Sequence, residues 1–277
     1  MSVGSAGFPA GSAELRFDPL SRLRRLAAGT AAIARLELLK LRHDNLDVLT
    51  RSVQPLLWLF VFGTALRHAR SLSGGHGDYR AYIAPGVMAQ AALFIAIFFG
   101  LAVIWERDLG QLQRLLATPL PRLGIVLGKA AGAAVRALVQ ACVLLAVLAV
   151  ARIHLHWSAG GVIGALVLLC LGTSSFACFS MLLASLVRTR ERFMGIGQMV
   201  TMPLFFASSA LYPLSIMPAW LRIIAHGNPL TYEVHGMRDL LLGISSGGTL
   251  WLDFVVVAAF LVVFAGVAAR MYPRAIV

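Results

Sequence analysis

From Ser158 to Val187 the chain runs for 30 residues without a single charged side chain. Coiled as a helix, such a run reaches about 45 Å, more than the roughly 30 Å of a bilayer's hydrocarbon layer. In water it would be an apolar rod with no polar face. Further runs repeat the pattern. Ala81 to Trp105 gives 25 uncharged residues, Ala130 to Ala151 carries only Arg136, and Phe193 to Leu221 and Thr249 to Ala269 complete the series. Across the 277 residues 59% are hydrophobic, 13% are charged and the mean hydropathy is +0.81. A soluble domain carries about twice that charged fraction, so an ordinary soluble enzyme and a disordered chain are both excluded.

These runs predict an all-α polytopic membrane protein with six transmembrane helices, at about 48–67, 81–105, 130–151, 158–187, 193–211 and 249–269. The first is short between Arg51 and Arg67, and snorkelling arginines extend it. The fifth contains Pro203, Pro213 and Pro218, which predicts a helix to about Ala210 and then a break. Residues 1–19 read as a flexible tail, 20–270 as one transmembrane domain and 271–277 as a cytoplasmic tail. The first 20 residues lack an apolar core, so a cleaved secretory signal is not expected. Cys142, Cys170 and Cys178 all lie in apolar runs and form no disulfide framework.

Six spans put both termini on one side. Of the 24 Lys and Arg residues, seventeen fall on that side, among them Arg22, Arg25, Lys40, Arg107, Lys129, Arg190 and Arg270. Six fall opposite (Arg67, Arg70, Arg80, Arg152, Arg222 and Arg238), and Arg136 lies within the third span. The termini are therefore expected to be cytoplasmic, and the net charge of +12 needs no nucleic acid to explain it.

Three segments are not simple spans. Residues 20–49 repeat Leu23, Leu26, Ile33, Leu36 and Leu39 at helical spacing between basic residues, the pattern of an amphipathic helix on the inner interface. A short soluble helix packed on loops is the alternative. A cytoplasmic loop follows the second span, with Leu109, Leu112, Leu115 and Leu116 before Pro119 and Pro121. A proline-broken outer segment runs from Pro213 to Gly248.

No catalytic or metal constellation emerges. Gly124-Ile-Val-Leu-Gly128-Lys129-Ala130 falls short of a phosphate-binding loop: the spacer is three residues instead of four, and Ala follows the Lys. It reads as a loop entering the third span. His154, His156, His226 and His235 read as interfacial polar residues, with no carboxylate or cysteine expected beside them to complete a site. Glu106, Asp108 and Glu191 fall at the inner edge and Asp253 at the outer, so no carboxylate pair is expected at membrane depth. Gly128/Gly132 and Gly160/Gly164 permit close helix approach. Gln54, Gln90, Gln198, Thr201, Ser208 and Ser209 lie within spans, where they either line a path or bond between helices.

The loop Trp105-Glu106-Arg107-Asp108-Leu109-Gly110-Gln111-Leu112-Gln113-Arg114-Leu115-Leu116-Ala117-Thr118-Pro119 resembles the cytoplasmic signature of type-2 ABC exporter permeases. A second signature resembles theirs near the end: Tyr212-Pro213, Pro218, then Asn228-Pro229-Leu230-Thr231-Tyr232 and Arg238. Within the class the chain is similar to daunorubicin-resistance and nodulation-factor export permeases, from about Leu20 onward. That resemblance implies a half-transporter: a second permease subunit completes the pore, and two separate ATPase subunits carry ATP and magnesium, with no cofactor in this chain. It implies that Glu106, Arg107, Gly110, Leu112, Leu115, Leu116 and Pro119 form the ATPase-coupling loop. It also implies a pair of re-entrant helices in the outer segment. The cargo would be an amphipathic drug, lipid or (lipo)oligosaccharide. A non-energised channel, or a scaffold for an envelope enzyme, is the rival reading.

Overall fold

The computed structural model describes residues 19–41, 45–66, 78–118, 120–187, 189–243 and 249–272, and among these there is no strand. The helices are α1 (Pro19–Leu41), α2 (Asn45–Ala65), α3 (Tyr79–Asp108), α4 (Gln111–Leu116), α5 (Arg122–Val150), α6 (Ala159–Leu186), α7 (Arg190–Phe206), α8 (Ala219–His226), α9 (Pro229–Leu242) and α10 (Leu250–Met271). Four of them, α3, α5, α6 and α10, are long and apolar enough to cross a membrane by length and composition. The sequence predicted six such helices. The other two exist as helices: α2 carries Asp47 and Arg51, and α7 has 17 residues before its chain turns at Ala207.

Local chemistry sets the boundaries. Asp78, Ser158, Thr189 and Asn228 each cap a helix N-terminus, their side-chain oxygens accepting from Arg80, Gly161, Arg192 and Leu230 amides. Pro229 follows its cap at the first helical position, where a missing N–H costs nothing. α9 ends on Gly243 with φ of 64°. The amphipathic helix predicted over 20–49 stops at Leu41, and α2 begins at Asn45.

α3 lies at the centre, packed on α6, α5, α2, α9 and α7, while α10 packs on α6 and α9 and α1 lies along α5. α3 and α6 touch at Gly100, whose amide donates to Ser180 Oγ while that hydroxyl donates to the Ile97 carbonyl. Burying apolar surface does not distinguish protein from lipid tails, so small residues and interhelical hydrogen bonds of this kind carry the packing specificity.

The stretch Gly124 to Lys129 is helical, which corrects the loop expected there. Glycine suggests a loop in isolation; here it thins one face of α5 so that α1 can approach. A Cβ on Gly128 would lie 2.5 Å from Ile33 Cβ and 2.9 Å from the Thr30 carbonyl oxygen, and one on Gly132 would lie 2.5 Å from Glu37 Cβ. Gly160 meets nothing within 4 Å, so the second expected pair is not a close approach; Gly161 and Gly164 face Leu240 instead.

Candidate functional site

At one end of the bundle, α3 finishes in Trp105, Glu106, Arg107 and Asp108, turns through Leu109 and Gly110, and re-enters as the single turn and a half of α4. Gly110 adopts φ of 71°, a left-handed conformation that a side chain would strain. Glu106 pairs with Lys129 of α5, which also faces Glu37 of α1 at 3.8 Å, and Glu37 accepts from Arg136 Nη2 at 3.2 Å. Lys129 is 3% exposed and Glu37 5%. A buried lysine needs such partners, because desolvation of an unpaired ammonium is prohibitive. The result is a chain of alternating charge joining α3, α5 and α1. Glu106 does not cap α4, whose N-terminus has no side-chain cap.

The rest of this end is tied by the neighbouring residues. Arg107 donates from Nη1 to the carbonyl of Val187 at 3.3 Å, closing the end of α6. Asp108 pairs with Arg190 at 2.9 Å, linking α3 to α7, and the Arg190 guanidinium sits 4.8 Å over the Trp105 ring. Leu115 packs inward against the core. Leu109 and Trp105 stand out at 65% and 51% exposure. A cleft of about 460 Å³ beside α4 is lined by Ile33, Leu36, Glu37, Leu39, Glu106, Gln111, Leu115 and Lys129. The side chains of Leu112 and Leu116 and all of Pro119 lie outside the described residues.

The second signature forms a backbone-repair cluster at the opposite end. After α7 the chain leaves helical geometry, and its carbonyls require donors. Asn228 Nδ2 donates to Leu204 O at 2.6 Å and Ala207 O at 3.4 Å. Arg238, 6% exposed, donates to Ser209 O at 2.8 Å, Ala210 O at 3.4 Å and Tyr82 O at 3.3 Å, with its guanidinium 3.9 Å from the Tyr82 ring centroid. Gly86 gives the Ala210 carbonyl room, since a Cβ there would collide with it. Tyr212 donates to Phe206 O and Tyr232 to His226 O. Pro213 precedes a short 3-10 turn, Leu214–Ile216, and Pro218 precedes α8.

Of the six polar span residues, Thr201 donates to Gly197 O and Ser208 to Phe205 O, each satisfied one helical turn back. Ser209 reaches Thr231 O at 3.4 Å, and Gln198 is exposed on α7. Gln54 and Gln90 are brought together, and Gln140 of α5 joins them.

Two carboxylates differ from their expected settings. Glu233 is 1% exposed, pressed against Gly172 midway along α6, and its Oε1 meets no donor among the described residues. The sequence placed it in the proline-broken outer segment, and α9 packs against α6. Asp253 is 2% exposed and accepts from His235 Nδ1 at 2.8 Å, with Asp239 Oδ2 3.9 Å from the same nitrogen. The histidine expected to lack carboxylate neighbours has two, supplied by its own helix four residues on and by α10. These three groups are placed closely enough to surround a cation. The Nδ1 proton directed at Asp253 makes the arrangement a hydrogen-bonded latch between α9 and α10.

That hydrogen bond, reinforced by the Asp253 and Asp239 charges against opposing burial and Arg238, raises the His235 pKa. The stabilisation is complete below about pH 6.5, the ordinary histidine value, and is lost as pH rises through the raised value. The purified protein should therefore unfold at a lower temperature as pH is taken from about 6 to about 9, and His235→Gln should flatten part of that slope. An unchanged slope in the variant would mean that the latch carries no linked proton.

Sequence reasoning missed Glu37, Lys129 as a buried partner, Gln140 and Asp239. The first two had a signal: Gly124, Gly128 and Gly132 recur every four residues, opposite a lone Glu37 on an otherwise basic helix.

A bundle of apolar helices with a charged turn at one end and a proline-broken, hydrogen-bonded segment at the other fits a multi-pass membrane protein. The chain belongs to the ABC-2 type transporter family, which matches residues 29–242. It is 31% identical over 206 residues to a putative transport permease, ycf38, of Cyanophora paradoxa, covering 73% of this chain and 70% of that one. It is 30% identical over 200 residues to nodulation protein J of Rhizobium leguminosarum bv. trifolii, covering 71% and 74%. It is 23% identical over 258 residues to the daunorubicin resistance ABC transporter permease protein DrrB1 of Streptomyces coeruleorubidus, covering 91% and 90%. The family makes it a transport permease subunit of an ABC transporter, a system with an ATPase partner.

Proposed function

We propose that this chain is the membrane half of an exporter that moves an amphipathic drug, lipid or (lipo)oligosaccharide outward, driven by ATP and magnesium held on two separate ATPase subunits. Two permease subunits form the path. In this reading α2 and α7 complete six spans, α8 and α9 form the re-entrant pair, and both termini lie in the cytoplasm of a bacterial inner membrane. The observation that carries the proposal is the α3–α4 corner, where Leu109 and Trp105 are exposed above the Glu106–Lys129–Glu37 chain of charge. An ATPase gripping that corner pulls directly on three helices.

The test is co-expression with an ATPase partner and recovery of the complex from membranes. Leu109→Asp removes an exposed apolar anchor without touching the core, so recovery should fall about tenfold while the permease still inserts, the effect of roughly 1.4 kcal/mol of lost contact. A cysteine at Thr189 should meet an impermeant thiol reagent only after the membrane is opened. Full recovery of the complex with Leu109→Asp would remove the docking corner from this reading.

A further inference from the structure

Between α2, α3 and α5 lies a cavity of about 140 Å³ whose wall includes Gln54, Gln90 and Gln140, one carboxamide from each helix, together with Arg51, Phe94 and Phe98. We propose that this cavity binds the uncharged, hydroxyl-bearing ring of an amphiphile, a saccharide-type headgroup whose tail remains in lipid. The proposal deepens the exporter reading and rests on it for the cavity's place on a transport path.

Gln90 is the first argument. It is 3% exposed, eleven residues into α3, and its Oε1 meets no hydrogen-bond donor among the described residues. An orphaned acceptor costs stability, and polar side chains at membrane depth are rare outside functional positions. Gln140 shows the contrast, since its Nε2 donates to the Arg51 carbonyl at 3.2 Å. Folding satisfies one amide of the wall and leaves another wall residue, Gln90, with a buried oxygen that has no donor among the described residues.

The second argument is the shape and character of the wall. Phe94 and Phe98 stack one helical turn apart, 14° from parallel, and offer an apolar flank. Carboxamides donate and accept equally, as hydroxyl groups do. The size is close to that of a roughly 150 Å³ cavity known to admit one benzene ring, so a single six-membered ring fits. Among the described residues no carboxylate lines the cavity and Arg51 does, so a cationic headgroup is disfavoured. A hydroxylated ring offers an apolar C–H face to the phenylalanines and hydroxyl donors to the wall carboxamides, Gln90 turning its side chain to meet one.

The experiment uses the full-length permease in phosphatidylcholine nanodiscs, without any ATPase. Octyl β-D-glucoside below its micellar concentration is compared with tetraethylene glycol monooctyl ether, which has the same tail and no ring. Thermal unfolding should shift saturably with the glucoside only. Gln90→Leu should raise the half-saturating glucoside concentration about tenfold, as expected for one lost hydrogen bond. Without probe it should unfold at a higher temperature than the wild type, because it removes a buried orphan. Phe98→Ala provides a second variant with weakened glucoside binding. Equal responses to both probes, or an undiminished glucoside response in Gln90→Leu and Phe98→Ala, would overturn the proposal. Glucoside binding by a chain that never couples to an ATPase would defeat the exporter reading and leave the cavity standing. Coupled transport without glucoside binding would do the reverse.

Discussion

Replacing Lys129 by methionine should cost about 3 to 5 kcal/mol, the usual penalty for leaving a buried charge without its partner. Lys129 stands between Glu106 and Glu37, and all three sit within or at the edge of the packed interior. Without the ammonium, Glu37 retains Arg136 but Glu106 loses its buried cation. Adding Glu106→Gln to Lys129→Met neutralises the carboxylate that faced the ammonium and should recover much of the loss, since a neutral amide needs only hydrogen bonds. Reversible unfolding in mixed micelles measures both. The single variant should also uncouple ATP hydrolysis from transport more than the double variant, because it loosens the joint between α3, α5 and α1. Equal stability of Lys129→Met and wild type would show the charge chain to be ornamental.

Arg238→Met should have an effect of similar size for a different reason. Methionine fills comparable volume but donates nothing, so the carbonyls of Ser209, Ala210 and Tyr82 lose a charged donor together. Hydrogen bonds to charged groups contribute about 1.5 to 3 kcal/mol each, less than additively when shared by one side chain, so a loss of at least 3 kcal/mol is expected. Arg238→Lys should recover only part, since an ammonium has neither the planar fork nor the stacking surface that lies on Tyr82. The fraction of monodisperse protein extracted from membranes and its unfolding temperature report the loss. Wild-type values for Arg238→Met would mean that Asn228 and the segment's own hydroxyls suffice to hold the break.

The long uncharged runs were legible because a helix in lipid must be apolar over its whole length, and α3, α5, α6 and α10 match them closely. Termini were less so: α5 begins at Arg122 because Gly124 and Gly128 lie against α1, a tertiary reason that no local propensity records. Glu106 was legible as a carboxylate at the inner edge, yet its partner lies 23 positions on, beside glycines resembling a failed nucleotide loop. Thr201 and Ser208 were ambiguous for a plain reason. A hydroxyl on a helix can satisfy itself on the carbonyl one turn earlier, and sequence does not distinguish that from lining a path. Leu115 belongs to a motif whose leucines all look alike on paper, but packing turns this one inward.

Arg238 also fixes an order of events. Ribosomes make Tyr82 156 residues ahead of the guanidinium that satisfies it, and Ser209 and Ala210 29 and 28 residues ahead. Until α9 has been synthesised and tucked under α6, the break after α7 holds carbonyls that lipid cannot serve. The end of the bundle that Arg238 ties together must therefore close only after α9 has been made. A chain stopped short of that residue is a natural target for membrane quality-control proteases.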